Sequence, residues 1–247
     1  MLDCGTITNS RVENFALTYD EVSNTNFADM CFLVVHPKGA LIWDTGLPDR
    51  MAGKPMVDRS KSLSQFKTNT LIGQLAEVGY SPANIQFLAL SHYHDDHSGN
   101  SNLFAAHSTW LVAKPDRDAM FPAEGKPVNG HEDFDQLKNA KTVLVPDDYD
   151  VFGDGSVRIR YAFGHTPGGI VLVVKLKNTG NVILAGDLWH YMEELKLHKI
   201  TDREAKTEAP ASRAKIEKLA NDLNAQIWIA HNMDLFRKLK HSPEYYD

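Results

Sequence analysis

The sequence predicts an α/β fold in which sheets are covered by helices. Apolar runs of strand length, "CFLVV", "ALIW", "FLAL", "VLVVKL" and "IWIA", recur along the whole chain. Between several of them lie segments whose apolar residues repeat at helical spacing. The chain has 247 residues, 43% hydrophobic and 23% charged, which is the make-up of a globular domain rather than a disordered or fibrous one. A single domain over residues 1–247 is therefore expected, large enough to bury a sizeable core.

Taken in order, "LDCGTI" reads as a first strand. Cys31 to Val35 and Ala40 to Trp43 flank His36-Pro37-Lys38-Gly39, a hairpin signal. The long connection from Leu47 to Phe66 is polar and rich in turn formers, yet it carries Met51, Met56, Leu63 and Phe66. Connections of that length in a compact domain are usually functional. From Lys67 to Val78, Leu71, Ile72, Leu75 and Val78 recur at helical spacing, with Gly79 as the stop. "NIQFLALSH" reads as a buried strand, "GNSNLFAAH" as the start of a helix and "TWLVA" as another strand. In the second half "KTVLV", "VRIRYAF", "GIVLVVKL" and "NVILAGD" are strands. Arg203 to Leu223 is a helix with Ala211, Ala214, Ile216, Leu219 and Leu223 on its apolar side, and "AQIWIAH" closes the pattern. Strands thus cluster in each half, and the acidic turn "VPDDYD" marks the join between the halves.

The net charge of -6 leaves no basic stripe to displace phosphate counterions, so small-molecule chemistry is expected and nucleic acid is not. No run reaches the ~18 apolar residues needed to cross a bilayer, so no membrane role is expected. The start "MLDCGTITNS" lacks the basic and apolar regions of a signal peptide, which fits a cytoplasmic protein or a mature exported form whose signal has been removed. Cys4 and Cys31 are the only cysteines and are not in C-x-x-C spacing; two buried free thiols are expected, with a single disulfide as the alternative.

The chemistry concentrates in "SHYHDDHSGN", directly after a buried strand. It presents His92, His94, Asp96 and His97 as H-x-H-x-D-H. Imidazole and carboxylate are ligands that first-row divalent metals accept, and four of them within six residues give a turn the capacity for two ions. Further donors stand after other strands: His165 in "AFGHTPGG", Asp187 in "VILAGD" and His231 in "IWIAH". Singly each is weak, since a lone His or an A-G-D step is more often structural. Together they form one ligand inventory.

With "WDTG" at 43–46, "SHYHDDHSGN", "GHTPGG", "AGD" and the C-terminal "AH" in this order, the chain resembles the metallo-β-lactamase-fold hydrolases over most of its length. The resemblance implies a four-layer αβ/βα sandwich with a dinuclear site at the seam of two mixed sheets. It implies that His92, His94 and His165 hold one metal, that Asp96, His97 and His231 hold a second, that Asp187 bridges them, and that Asp44 supports the metal-binding turn from behind. Two divalent ions, zinc first among them, are the implied cofactors.

Within that family, Asp187 stands where the true β-lactamases carry Cys or Ser. The short segment after His231 leaves little room for the glutathione-binding extension of glyoxalase-II-like thioesterases. "LDCGTI", "HPKGALIWDTGLPD" and the motif spacing look most like the N-acyl-homoserine lactonase branch. That implies opening of a lactone ring by a metal-bridging hydroxide, with Asp96 moving the proton. A phosphotriesterase of the methyl-parathion-hydrolase type and a promiscuous β-lactam or ester hydrolase remain the alternatives, with a non-catalytic metal-bearing binder behind them. Where many lactonases have Tyr three residues after the bridging Asp, this chain has His190, beside Tyr191; His190 is expected either to donate a hydrogen bond to the substrate oxygen in that Tyr's place or to be a surface residue. Met51, Met56, Leu63, Phe66 and Phe121 are candidates for an apolar substrate pocket. A homodimer joined through the 47–66 loop is what the family implies.

Overall fold

The computed structural model describes residues 1–247. The first half forms a sheet of eight strands: β1 (Leu2–Asn9), β2 (Phe27–His36), β3 (Gly39–Trp43), β4 (Val57–Asp58), β5 (Leu63–Phe66), β6 (Phe87–Ala89), β7 (Thr109–Val112) and β8 (Thr142–Leu144). Their order is β4-β5-β1-β2-β3-β6-β7-β8. Pairing is antiparallel from β4 to β3 and parallel from β3 to β8, so the sheet is mixed. Helices α1 (Leu71–Glu77), α2 (Asp95–Ser98) and α3 (Lys114–Met120) belong to this half.

The second half forms a five-stranded sheet from β9 (Tyr149–Asp150), β10 (Val157–Tyr161), β11 (Ile170–Leu176), β12 (Gly180–Leu184) and β13 (Gln226–Trp228), in the order β13-β12-β11-β10-β9. After β12 come α4 (Met192–Leu197) and α5 (Glu208–Leu223), the crossover that lets β13 lie parallel to β12; α6 (Met233–Phe236) follows β13. The acidic turn "VPDDYD" is the passage from one sheet to the other, ending in β9.

Two-residue periodicity explains which side chains each face of the sheets buries. On β3, Leu41 and Trp43 face a core shared with Leu172 and Val174 of β11 and Val182 and Leu184 of β12. The alternate residues Ala40 and Ile42 face the opposite way, onto Leu71 and Leu75 of α1 and Met120 of α3. On β11, Val171 and Val173 pack on Ile216 and Ala220 of α5. Strands buried on both faces need continuous apolar runs, and "ALIW" and "IVLVV" supply them. The result is four layers, helix–sheet–sheet–helix.

Three local expectations are corrected. Cys4 and Cys31 form a disulfide rather than two free thiols, because the β1–β2 ladder, which shifts register between Asp3 and Gly5, brings their Cα atoms to 5.9 Å. "GNSNLFAAH" makes only a 3-10 turn at Ser101–Leu103: the Asn100 side chain is bonded to Thr45 O, Leu47 O and Asp49 N, which pins the chain before a helix can propagate. The helices expected from Lys67 and from Arg203 begin later, at Leu71 and Glu208. Lys67 is turned inward to Leu47 O and Asp49, and Thr70 caps Gly73; Glu204 is turned inward to Arg213.

The disulfide closes a segment of 27 residues. Removing it by a Cys4→Ser, Cys31→Ser double substitution is expected to lower the free energy of unfolding by about 2–4 kcal/mol. Urea denaturation checks this; an unchanged midpoint would contradict the pairing.

Candidate metal centre

Every donor named from the sequence follows the carboxyl end of a strand. Asp44 follows β3, His92 to His97 follow β6, His165 follows β10, Asp187 follows β12 and His231 follows β13. These ends meet along one edge of the sandwich, the place where open α/β sheets collect ligands. Main-chain bonds close the seam: Ile170 N donates to Ser91 O at 2.8 Å and Ala28 N to His231 O at 3.2 Å. The approach is tight enough to require glycine at 186, where φ is +51° and a Cβ would lie 2.5 Å from the Cβ of Ser91.

Within "SHYHDDHSGN" the backbone changes from extended to helical at His94. His92 and His94 alternate along the extended part and so point the same way, while Asp96 and His97 project from the first turn of α2. His92 Nε2 lies 2.8 Å from His94 Nδ1, and His165 Nε2 lies 3.0 Å from the same atom. On the other side His97 Nε2 and His231 Nε2 are 3.4 Å apart, with Asp96 Oδ2 3.5 Å from His231 Nε2. Asp187 stands between the groups. Its Oδ1 faces His97 and His231 at 3.0 and 3.1 Å, and its Oδ2 faces His92, His165 and His190 at 3.7, 3.4 and 3.3 Å.

The outward nitrogens are held by the protein. His97 Nδ1 bonds Asp44 Oδ2 at 2.9 Å, His231 Nδ1 donates to Ala28 O at 2.7 Å, and His92 Nδ1 meets Ser91 Oγ at 3.1 Å. Such partners fix the ring orientation and leave the other nitrogen for the site. Asp44 is fully buried with φ of +57°, an unusual conformation for a residue other than glycine. The strain is held because Asp44 also accepts from Ser91 N at 2.5 Å, while Thr45 N donates to His97 O and Gly99 N to Gly46 O.

Electrostatics follow from the crowding. Burial holds the His92, His94 and His165 imidazoles below the usual histidine range. Burial also pushes His97 and His231 down, but the carboxylates around them, Asp187 foremost, outweigh it and raise both. Asp187 itself would be raised by burial; the imidazoles of His231, His97 and His92 instead hold it well below the usual carboxylate range. The carboxylates thus favour positive charge at His97 and His231.

The donors fit divalent cations. Two sets, His92/His94/His165/Asp187 and Asp96/His97/His231, each bring their ligand atoms within 4.8 Å of one another. Asp187 Oδ1 is buried and accepts no hydrogen bond although two imidazole nitrogens lie close to it, so the rings converge on a shared point rather than aim N–H groups at the oxygen. A third buried set, His190/Glu194/Glu204, differs: the Arg213 guanidinium already lies 3.0 Å from both Glu204 oxygens and 3.2 Å from Glu194 Oε1.

Residues 25–227 match the family model of the metallo-beta-lactamase superfamily. The chain belongs to that superfamily. Its relatives include the N-acyl homoserine lactonase AttM of Azorhizobium caulinodans, 26% identical over 100% of this chain and 97% of that protein, and the N-acyl homoserine lactonase AiiA of Bacillus thuringiensis subsp. kurstaki, 24% identical over 74% and 72%. A quorum-quenching N-acyl homoserine lactone hydrolase superposes with a TM-score of 0.81 at 20% identity, covering 100% of this chain and 96% of that one. AidC, a dizinc quorum-quenching lactonase, superposes with a TM-score of 0.67 at 19% identity over 94% and 86%. The superfamily sandwich accounts for the seam, and the metal-donor groups lie within its matched span except for His231.

His190 is buried, not a surface residue, with its ring 4.6 Å from that of Phe15. Tyr191 turns away: its hydroxyl donates to Thr25 O and accepts from Asn9 Nδ2. The five pocket candidates are not gathered together. Leu63 packs beside Phe15, Phe27 and Tyr191, Phe121 packs against Trp110 and Phe134 under α3, and Met56 is 54% exposed. A cavity of about 660 Å³ opens between the sheets at Val34, Leu176 and Trp228, away from the donors. Asp116 holds the "GHTPGG" turn through Gly168 N and Thr166 Oγ1, and neither it nor Ser91, Glu194, Glu204 or Arg213 is among the residues that the sequence marks for the site. Asp116 and Arg213 act across long sequence gaps, which no local spacing marks, whereas Ser91 works on His92 and His97 and Glu194 on the His190 and Tyr191 N–H groups, contacts between near neighbours whose residue types alone do not announce a site.

Asp44→Ala is expected to weaken divalent-metal affinity about 10–100-fold while the fold persists; competition against a chromogenic chelator measures it. Because the surrounding carboxylates favour protonated His97 and His231, and a metal ion takes only the unprotonated nitrogen, affinity should fall as pH falls. Calorimetric titration of metal-free protein at pH 7 in buffers of different ionisation enthalpy should show release of about one to two protons per chain. A buffer-independent heat would contradict the charge assignment.

Proposed function

We propose that this protein is a dinuclear metal hydrolase that opens lactone rings, with N-acyl-homoserine lactones as the foremost substrates. The position of Asp187 carries the reaction class: one carboxylate faces two separate donor groups, which is what a pair of bridged cations requires. The substrate class rests on the lactonase relatives that match the chain over its full length.

In this reading His92, His94 and His165 hold one ion, Asp96, His97 and His231 the other, and Asp187 both. Zinc suits the imidazole and carboxylate set. Bound ions would supply a Lewis acid for the carbonyl and a nucleophilic water at neutral pH.

The chain's own groups do the rest. Asp96, whose side chain is 13% exposed, is the carboxylate with access to solvent, and it orients the attacking water and passes the proton to the departing ring oxygen. His190 presents Nε2 to the site beside Asp187 Oδ2 and donates to the substrate oxygen as negative charge develops there. Because the leaving oxygen of a lactone stays tethered, a single hydroxy acid results.

The test is the initial rate of ring opening of a medium-chain acyl-homoserine lactone by zinc-loaded protein, beside phosphotriester and β-lactam substrates. A kcat/KM of about 10⁴ M⁻¹s⁻¹ or more for the lactone is expected. Asp96→Asn should lower kcat by about 10²–10⁴. Faster turnover of a phosphotriester or β-lactam would replace the substrate while leaving the metal centre in place.

A further inference from the structure

A buried ionic cluster lies directly behind His190 and His165. Glu194, Glu204 and Arg213 are 0%, 6% and 4% exposed. Arg213 binds four segments at once. Its Nε donates to Leu188 O at 2.8 Å, one residue after Asp187; its Nη1 donates to Lys199 O; its Nη2 reaches Glu194 and Glu204. Glu204 Oε1 in turn stands 4.0 Å from His165 Nδ1. Burying two carboxylates and a guanidinium is costly unless each is paired and hydrogen-bonded, so a cluster this closed sets positions rather than adding stability.

Glu194 connects the cluster to the site. Its Oε2 accepts from His190 N at 2.6 Å and Tyr191 N at 2.9 Å, and lies 3.5 Å from His190 Nδ1. That nitrogen is buried and has no hydrogen bond, so a small turn of the ring would complete the pair. On its other contacts the ring meets Phe15 and Phe27, which offer no hydrogen bond, the edge of His165 at 4.9 Å and the face of His231 at 5.9 Å. At its Nε2 end the ring has Asp187, a carboxylate shared with the imidazoles of both metal-donor groups. Glu194 is therefore the polar group that faces His190 Nδ1.

We propose that Glu194 is a positioning residue that fixes the ring of His190 with Nε2 toward the substrate, and that Arg213 is the anchor that fixes Glu194. This rests on the reading of His190 as the donor to the substrate oxygen.

Glu194→Gln keeps the volume and one acceptor oxygen but removes the carboxylate that serves the two main-chain N–H groups, the ring and Arg213 together. In metal-loaded protein, kcat for lactone opening is expected to fall about tenfold, with KM within about twofold and the metal content unchanged. In a His190→Ala background the same substitution should cost nothing further. Arg213→Lys, which keeps the charge and loses the fork, should show the same split. Nuclear Overhauser contacts between the His190 and Phe15 rings, present in the parent, should weaken in Glu194→Gln, and this arm needs no substrate.

A Glu194→Gln loss of equal size in the His190→Ala background, or one accompanied by metal loss, would overturn the proposal, as would unchanged ring contacts. Wild-type kcat in His190→Ala would overturn the reading of His190 and the kinetic consequence with it. If the parent opens no lactone, the substrate reading fails, and the ring contacts alone decide whether Glu194 positions His190.

Discussion

A single buried carboxylate faced by five imidazoles is the constraint on which the rest of the structure depends. Asp187 has His97 and His231 on one oxygen and His92, His165 and His190 on the other, all within 3.7 Å. Without compensating charge such a group would cost several kcal/mol to bury. Protons on His97 and His231 can compensate in the metal-free protein, and divalent cations compensate better because one ion serves several donors at once.

Holding those donors in place explains features that would otherwise be liabilities. Asp44 keeps a left-handed backbone because there one oxygen reaches Ser91 N and the other reaches His97. Gly46 follows with φ of +63°, and a Cβ there would meet the Cys4 Cβ at 2.2 Å, so the disulfide-bearing strand packs directly beneath the loop that orients His97. Gly186 allows the β12 end to touch Ser91. Arg213 then ties the segment after Asp187 to α4 and α5. Support thus reaches the two metal-donor groups from both sheets and from the helical layer outside the second.

Much of the fold was legible because its signals are local. Each run such as "ALIW" or "IVLVV" states by its own composition that it is a strand covered on both faces, and the turn "VPDDYD" marks the change of sheet. Helix starts are less legible. Lys67 and Glu204 fall within helical-looking stretches, yet each side chain is drawn inward to a buried partner, Lys67 to Asp49 from an earlier loop and Glu204 to Arg213 further along its own stretch. The cysteine pairing is not legible locally either, since it depends on the register of β1 against β2 and not on spacing.

The sequence by itself determined the donor inventory: three histidines and an aspartate in one turn, with His165, Asp187 and His231 each at a strand end. Residue type and position after a strand are properties of a short segment, and they survive without knowledge of the fold. Only the tertiary structure decided that Asp187 faces both groups, that His190 is buried with Nε2 on Asp187 while Tyr191 is engaged elsewhere, and that Phe121 and Leu63 lie in different clusters. It also decided that Glu194, Glu204 and Arg213 stand behind the metal centre. Those are contacts between elements far apart in the chain, fixed by how two twisted sheets stack and which strand ends they bring to one edge, and no local pattern encodes that stacking.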